Sequence, residues 1–291
     1  MPRSLCDTEV AMQLPDQKLT DLLLLRALEE DIGNGDVTVQ AMHIDGPAEA
    51  QIIAKETGIA AGIPIAARVF ELLDPDLQID LHKQDGENLH AKDILLSIRG
   101  KGASILSAER SALNFLGRMC GIATLASRFV HEVEGTRCKI YDTRKTLPNL
   151  RILDKYAVTC GGAQNHRRGL DDMILIKENH IRWVGGIDKA LQAAVPFAQE
   201  RGLRIEIEVT SLEEYRRALQ YPLQMIMLDH FTPEQIREAV ATEHGDILLE
   251  ASGNISLETV GGIARCGVDI ISVGALTHSV KCLDLSLLFH V

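Results

Sequence analysis

From Lys139 onward the chain repeats one pattern six times: a short, nearly continuous apolar run, a polar residue at its end, then an amphipathic helical segment. The runs are KIYDT, MILIK, RIEIEV, MIMLD, ILLEAS and DIISVG. Strands built mainly of Ile, Leu, Val and Met need cover on both faces, and helices between consecutive strands supply it. The pattern therefore requires repeated βα units and a parallel sheet. Six strands fall short of the eight that close a full barrel. The reading is an α/β protein with an incomplete, open α/β barrel, favoured over an open doubly wound sheet.

The preceding half has a different texture. Leu19 to Asp31 carries leucines at helical spacing, with Thr20 or Asp21 as the cap and Gly33 followed by Asn34-Gly35 as the stop. Between Ala48 and Gly100, β-like runs surround one helical stretch, IPIAARVFELL, which predicts an α+β layer. Ser104 to Val133 is the longest helical pattern, expected to break at Gly117 and Gly121, where a kink or a close contact would fall. The closing LDLSLLFHV alternates polar and apolar residues and is expected to return as an edge strand.

Charge removes several function classes. Thirty Lys and Arg against 41 Asp and Glu leave a net charge of −11, so a general surface for nucleic acid or an anionic membrane is not expected. The six cysteines are scattered without a C-x-x-C, which argues against a zinc site or a disulfide framework and for buried, reduced thiols. The first residues lack the apolar stretch of a signal peptide, and no run approaches the roughly 18 apolar residues of a membrane span. A soluble, cytoplasmic protein is the expectation.

In parallel α/β folds ligands bind beyond the carboxyl ends of the strands, so the polar residues there are the candidates for chemistry. They are Asp142-Thr143-Arg144-Lys145, Lys177-Glu178-Asn179-His180, Glu208, Asp229-His230, Ser252-Gly253-Asn254 and Gly274. From Asp142 to Arg182 eight Lys and Arg face five Asp and Glu, a local excess of positive charge in an acidic chain. On one account Arg151 and Lys155 lie on a solvated helix face while the rest pair with Asp171, Asp172 and Glu178. On the other, Arg144, Lys145, Arg167 and Lys177 form a polyanion pocket, the Arg forks taking planar carboxylates and the Lys point charges taking phosphate.

The SGN and VGAL turns would place free backbone N–H groups at helix starts, where phosphate is stabilised. Glu208 and Asp229 end consecutive strands and should face one cavity. One of them pairs with Lys177, or the two together suit positive charge developing on a sugar carbon, or an Mg²⁺ held through water. Of the ten histidines only His166 and His180 lie in the basic segment, and the chain contains no H-E-x-x-H, G-x-S-x-G, Walker or G-x-G-x-x-G motif.

Taken together, ERSALNFLGRMCGIAT, DTRKTLPNLR, CGGAQNHRRGL, LIKENHI, EIEVTSLEE, MLDHFTPEQ, EASGNI and ISVGALTHS resemble the quinolinate phosphoribosyltransferase family, also called nicotinate-nucleotide pyrophosphorylase (carboxylating). The likeness runs from EEDIGNGDVT to LDLSLLF, nearly the whole chain. It implies an N-terminal α/β sandwich domain over residues 1–120, completed by about 276–291, beside an open α/β barrel over 121–275. It also implies the reaction of quinolinate with phosphoribosyl pyrophosphate to give nicotinate mononucleotide, pyrophosphate and CO₂ in de novo NAD synthesis. Mg²⁺ would be carried with the phosphoribosyl pyrophosphate and held through water, with no ligand from the protein expected.

The resemblance distributes roles by motif. Arg144, His166, Arg167 and Arg110 would surround the two quinolinate carboxylates, with Lys177 near them and Thr146 in the same substrate-binding set. Arg110 would come from the neighbouring subunit of a homodimer. Lys145, Lys177 and the turns at Ser252, Gly253, Asn254 and Gly274 would meet phosphates, while Glu208 and Asp229 would lie by the ribose. Lys145, Glu208 and Asp229 are the expected catalytic residues. One departure stands out, since the family's LDN after the fourth strand reads Leu228-Asp229-His230 here. The alternatives are a related phosphoribosyltransferase for another acidic ring and a non-catalytic phosphoribosyl or nucleotide sensor.

Overall fold

The computed structural model describes residues 14–290. They form two compact units, one of residues 14–127, 146–162 and 275–290, the other of 128–145 and 163–274. Cys6 and the opening stretch read above for a signal peptide lie outside the described residues.

The first unit begins with α1 (Gln17–Ile32), whose cap is Asp16 rather than Thr20 or Asp21, its carboxylate accepting the Leu19 N–H. The reason lies in where the two expected caps point. Thr20 is buried, and Asp21 accepts two hydrogen bonds of 2.9 Å from Arg68, which hold its carboxyl below the ordinary range. Gly33 stops the helix at a φ of +53°, donating to the Glu29 carbonyl. There follow α2 (Val37–Ala41), β1 (Pro47–Ala54), β2 (Gly58–Ile59), α3 (Ile63–Leu73), β3 (Gln78–Leu81), β4 (Asn88–Leu89), β5 (Ile94–Lys101) and α4 (Gly102–Glu132). On β1 the buried residues alternate as Ala50, Ile52 and Ala54, and α3 buries Ile63, Ile65, Ala66, Val69 and Phe70 against β3 and β5.

The long helix does not break. Gly117 and Gly121 sit within a continuous α4 because a chain segment lies directly on them: a Cβ at Gly121 would overlap the carbonyl oxygen of Lys281, and one at Gly117 would come within 3.1 Å of the Leu283 carbonyl. The Leu283 N–H donates to the Gly117 carbonyl at 2.9 Å. The glycines thus mark a close contact rather than a kink.

After β6 (Lys139–Tyr141) comes α5 (Arg151–Cys160), part of the first unit. There Asp154 is fully buried against Arg118, at 2.9 and 2.7 Å. Lys155 is buried as well, and Arg151 donates to Thr146, so α5 is not the solvated basic face that one account of the charge required.

The second unit continues with β7 (Ile174–Ile176), α6 (Glu178–Val184), α7 (Ile187–Arg201), β8 (Ile205–Val209), α8 (Leu212–Ala218), β9 (Met225–Asp229), α9 (Pro233–Ala241), β10 (Leu248–Ser252), α10 (Leu257–Ala264) and β11 (Ile270–Ser272). Its strands run in the order β6-β11-β10-β9-β8-β7, every pair parallel. β6 and β7 occupy opposite edges, so the six strands make an open barrel. The inward face of each strand follows a period of two. Met173, Met225, Leu248 and Ile270, with Tyr141 against them, form an apolar cluster. Four residues further along the same strands stand Lys177, Asp229, Ser252 and Gly274.

The chain then returns through α11 (Ala275–His278) to β12 (Leu285–His290), which pairs antiparallel with β1 from Glu49↔His290 to Ala54↔Leu285. It is the edge strand that the alternation predicts, in a sheet ordered β12-β1-β5-β3. Among the described residues Cys120, Cys138, Cys160, Cys266 and Cys282 are free thiols, and no helix is long and apolar enough to cross a membrane. The glycine contacts on α4 predict that Gly121→Ala lowers unfolding stability by about 1 to 3 kcal/mol and Gly117→Ala by less. Denaturant unfolding measures both, and equal stabilities in the two variants would contradict the contact.

Candidate active site

The site is assembled around Asp142, which follows β6 and has no solvent exposure. Its carboxylate accepts the His166 N–H at 2.8 Å, and its own N–H donates to the Gln164 carbonyl at 2.9 Å. Gln164 also donates to the Ile140 carbonyl and forms a parallel bridge with Tyr141. The segment 163–166 therefore runs along the free edge of β6 as a fragment of strand. The consequence is that NHR, far from DTRK in sequence, arrives beside it.

Two guanidiniums meet there. Arg167 is buried, donates to the Met173 carbonyl at 3.1 Å, and has its pKa lowered by burial and then by the positive charge of Arg144. Two like charges held close in a poorly solvated place favour an anion between them. Lys145 is exposed, its N–H tied to the Thr143 hydroxyl. Lys177 begins α6 one residue beyond the Ile176↔Ile207 pair, which brings its ammonium to 3.7 Å from Glu208. One expected option, an acid paired to Lys177, is thus the geometry observed for Glu208.

Asp229 ends β9 opposite Ser252 at the end of β10. Beyond them His230, at φ +57°, donates its N–H to the Ser252 carbonyl, and its ring lies 3.8 Å from the Asp229 carboxylate. The ring also covers Gly253: with φ +98°, that residue has room for no side chain, since a Cβ would fall 2.6 to 2.8 Å from three ring atoms. Asn254 is left-handed too, at φ +52°. Contrary to the expectation from sequence, the SGN turn does not open a helix, because α10 starts three residues later behind Ser256. Gly274 does immediately precede α11.

The second unit thus gathers Arg144, Lys145, His166, Arg167, Lys177, Glu208, Asp229, Ser252, Gly253, Asn254 and Gly274 at the carboxyl ends of its strands. Arg110 and Thr146 belong to the first unit. Arg110 stands on α4 in a groove of about 480 Å³ with Asp31, Asn114 and Arg118, and Thr146 accepts the Arg151 hydrogen bond. Two residues that the motif reading did not single out lie deeper in the barrel. Glu206 and Glu250 have no solvent exposure, and their carboxylates stand 3.0 and 3.3 Å from His166 Nε2. The signal for them is an acid two residues before a polar strand-end residue, Glu208 or Ser252, on a strand whose other face is apolar.

A parallel open barrel with paired arginines, two lysines, two acids and left-handed turns at its carboxyl ends defines an enzyme for a small, multiply anionic substrate. The quinolinate phosphoribosyl transferase N-terminal domain matches residues 36–120, and the C-terminal domain of the same family matches 122–288. The chain belongs to the quinolinate phosphoribosyltransferase family, and with it to the decarboxylating phosphoribosyltransferases of NAD biosynthesis. It is 43% identical over 258 residues to a probable nicotinate-nucleotide pyrophosphorylase (carboxylating) of Bacillus subtilis, covering 89% of each chain. With a mitochondrial quinolinate phosphoribosyltransferase (decarboxylating) of Nicotiana glauca it shares 42% identity across 94% of this chain and 82% of that one. The solved nicotinate-nucleotide pyrophosphorylase of Francisella tularensis superposes with a TM-score of 0.91 at 39% identity, covering 96% of this chain and 99% of that one.

The His230 ring over Gly253 predicts coupling between the two positions. Gly253→Ala is expected to lower kcat/KM by displacing the ring, and His230→Asn is expected to return part of that loss, by about 1 kcal/mol of interaction energy in a double-mutant cycle. Strictly additive effects would show that the ring and the turn act independently.

Proposed function

We propose that this chain transfers the phosphoribosyl group of phosphoribosyl pyrophosphate to quinolinate, giving nicotinate mononucleotide, pyrophosphate and CO₂. The reading is carried by the buried Arg167 guanidinium held beside Arg144, in the unit whose strands β8 and β9 carry Glu208 and Asp229 at their carboxyl ends. Arg144, His166 and Arg167 take the two carboxylates of quinolinate, and Lys145, Lys177 and the turns at Ser252–Asn254 and Gly274 take the phosphates. Mg²⁺ carried with phosphoribosyl pyrophosphate would neutralise charge on the departing pyrophosphate, and the carboxylates of Glu208 and Asp229 are the groups that would hold it through water.

As the ring nitrogen bonds to the anomeric carbon, the bond from that carbon to pyrophosphate breaks and its electron pair leaves with the pyrophosphate. The ribose passes through an oxocarbenium-like state, which the negative charges of Glu208 and Asp229 stabilise. The pyridine nitrogen becomes cationic, and this draws the electrons left at C2 when the adjacent carboxylate departs as CO₂. A proton then replaces it. The active protein is a cytoplasmic homodimer in which Arg110 of one subunit completes the quinolinate site of the other.

Substrate choice tests the reaction. Nicotinate lacks the second carboxylate, and an Arg left unpaired in a desolvated pocket costs about 1 to 3 kcal/mol, so kcat/KM for quinolinate should exceed that for nicotinate by about 5- to 150-fold. Release of labelled CO₂ from the 2-carboxyl of quinolinate, strictly dependent on phosphoribosyl pyrophosphate, gives the first value. Equal specificity for the two acids would sink the proposal.

Subunit complementation tests the dimer. Inactive Arg110→Ala and Lys145→Ala chains are mixed and allowed to exchange. A shared site restores activity, because one site of each mixed dimer regains both native residues. If mass measurement confirms exchange while activity stays absent, Arg110 does not serve the neighbouring site.

A further inference from the structure

Beneath the ring of strand-end residues the barrel interior holds three ionisable side chains almost without solvent. His166 is 7% exposed at its side chain, and Glu206 and Glu250 not at all. Glu206 comes from β8, two residues below Glu208 on the same face. Glu250 comes from β10, two residues below Ser252. The proposed reaction gives neither glutamate a task. Burying two carboxylates side by side is costly, and a cost of that kind persists only where the groups have a use.

The hydrogen bonds of His166 say which way its protons lie. Its Nδ1 accepts the Arg167 N–H at 2.8 Å, and a ring nitrogen that accepts carries no proton. The imidazole is therefore protonated on Nε2, which faces Glu206 at 3.0 Å and Glu250 at 3.3 Å. The N–H faces the two carboxyl groups at ion-pair distance, but it is not aligned for a hydrogen bond to either, and all four carboxyl oxygens lack an aligned hydrogen-bond partner among the described residues. Burial opposes added positive charge on the ring while the two carboxylates favour it, and the Arg167 amide occupies the Nδ1 lone pair that a second ring proton would need. Burial and the charge of Glu250 push the Glu206 carboxyl up to about 7.

The same three groups bring ligand atoms within 4.8 Å of one another, which is metal-site spacing. A cation would need the Nε2 lone pair, and the ring would then turn Nδ1–H against the N–H of Arg167. The hydrogen bonding therefore selects a proton over a metal ion at this place.

We infer that Glu206 and Glu250 are positioning residues for quinolinate recognition: their carboxyl groups, 3.0 and 3.3 Å from His166 Nε2, favour the proton on that nitrogen and so keep Nδ1 on the Arg167 amide. The imidazole and the guanidinium next to it are thereby presented to the substrate's carboxylates as one fixed unit. The inference rests on the proposed role of His166 and Arg167 toward quinolinate. A buried acceptor that fixes the tautomer of a functional histidine is a known means of orienting it.

The test uses the full-length protein labelled with ¹⁵N-histidine, with the His166 signals identified by their loss in His166→Gln. The wild type should show an unprotonated Nδ1 and a protonated Nε2. Glu206→Leu and Glu250→Leu should move His166 to a mixture of tautomers and weaken quinolinate binding about tenfold or more, with phosphoribosyl pyrophosphate affinity changed less than about twofold. Glu206→Gln and Glu250→Gln keep an acceptor oxygen and should restore both properties. Unchanged quinolinate affinity in both Leu variants would overturn the inference. So would a wild-type His166 protonated on both nitrogens, or stoichiometric Zn²⁺ or Mn²⁺ binding that shifts its signals. Should the Leu variants fail to fold, the wild-type spectrum and the Gln variants still decide. A protein that binds no quinolinate at all rejects the proposed reaction, whereas the spectrum reports on the cluster regardless.

Discussion

The hydrogen bond from the His166 amide to the buried Asp142 carboxylate is the interaction on which the rest of the barrel mouth depends. A parallel sheet of six strands leaves β6 with an unpaired edge, and the chain covers it with 163–166 rather than with a seventh full strand. Backbone pairing through Gln164 sets the direction of that segment, and Asp142 ends it. A carboxylate without solvent access is tolerable only while its oxygens accept hydrogen bonds. Loss of the pairing would therefore cost more than one contact, because it would take a hydrogen bond from a buried carboxylate and release the segment that carries Arg167 at the same time.

Along its axis the barrel is graded in polarity. At one level Met173, Met225, Leu248 and Ile270 exclude water. In register with two of them, Glu206 beside Met225 and Glu250 beside Ile270, lies the closed cluster with His166, and beyond it the ring of cations and acids that meets solvent. The gradient follows from strand alternation, since residues two apart on one face share the interior but differ in depth. Electrostatic interactions strengthen with depth as the local dielectric falls. Groups that fix geometry sit low, and groups that exchange ligands sit high.

The sequence made the barrel legible because buried parallel strands must be apolar throughout, and all six runs are strands where the pattern puts them. Their ends were legible for the same reason, because the polar residue that follows each apolar run falls at the carboxyl end of its strand. What stayed hidden was set by contacts distant in sequence. Gly117 and Gly121 look like helix breaks until segment 281–283 is seen lying on them. Asp16 outcompetes Thr20 as a cap because Thr20 turns inward. Glu206, in IEIEV, shares a face with Glu208, but spacing along the strand does not show that His166 arrives beside it from another segment.

The pairing of β1 with β12 has a bearing on how the protein is made. More than 230 residues separate strands that are neighbours in one sheet, as the register Glu49↔His290 shows. During synthesis the first unit waits with an uncovered sheet edge until residues 285–290 emerge, while the barrel strands between them can already pair locally. Contacts so distant along the chain slow folding, and an unpaired strand edge invites association with other chains. The order of events on the ribosome is therefore inverted relative to the order of the sequence: the unit that begins first is completed last.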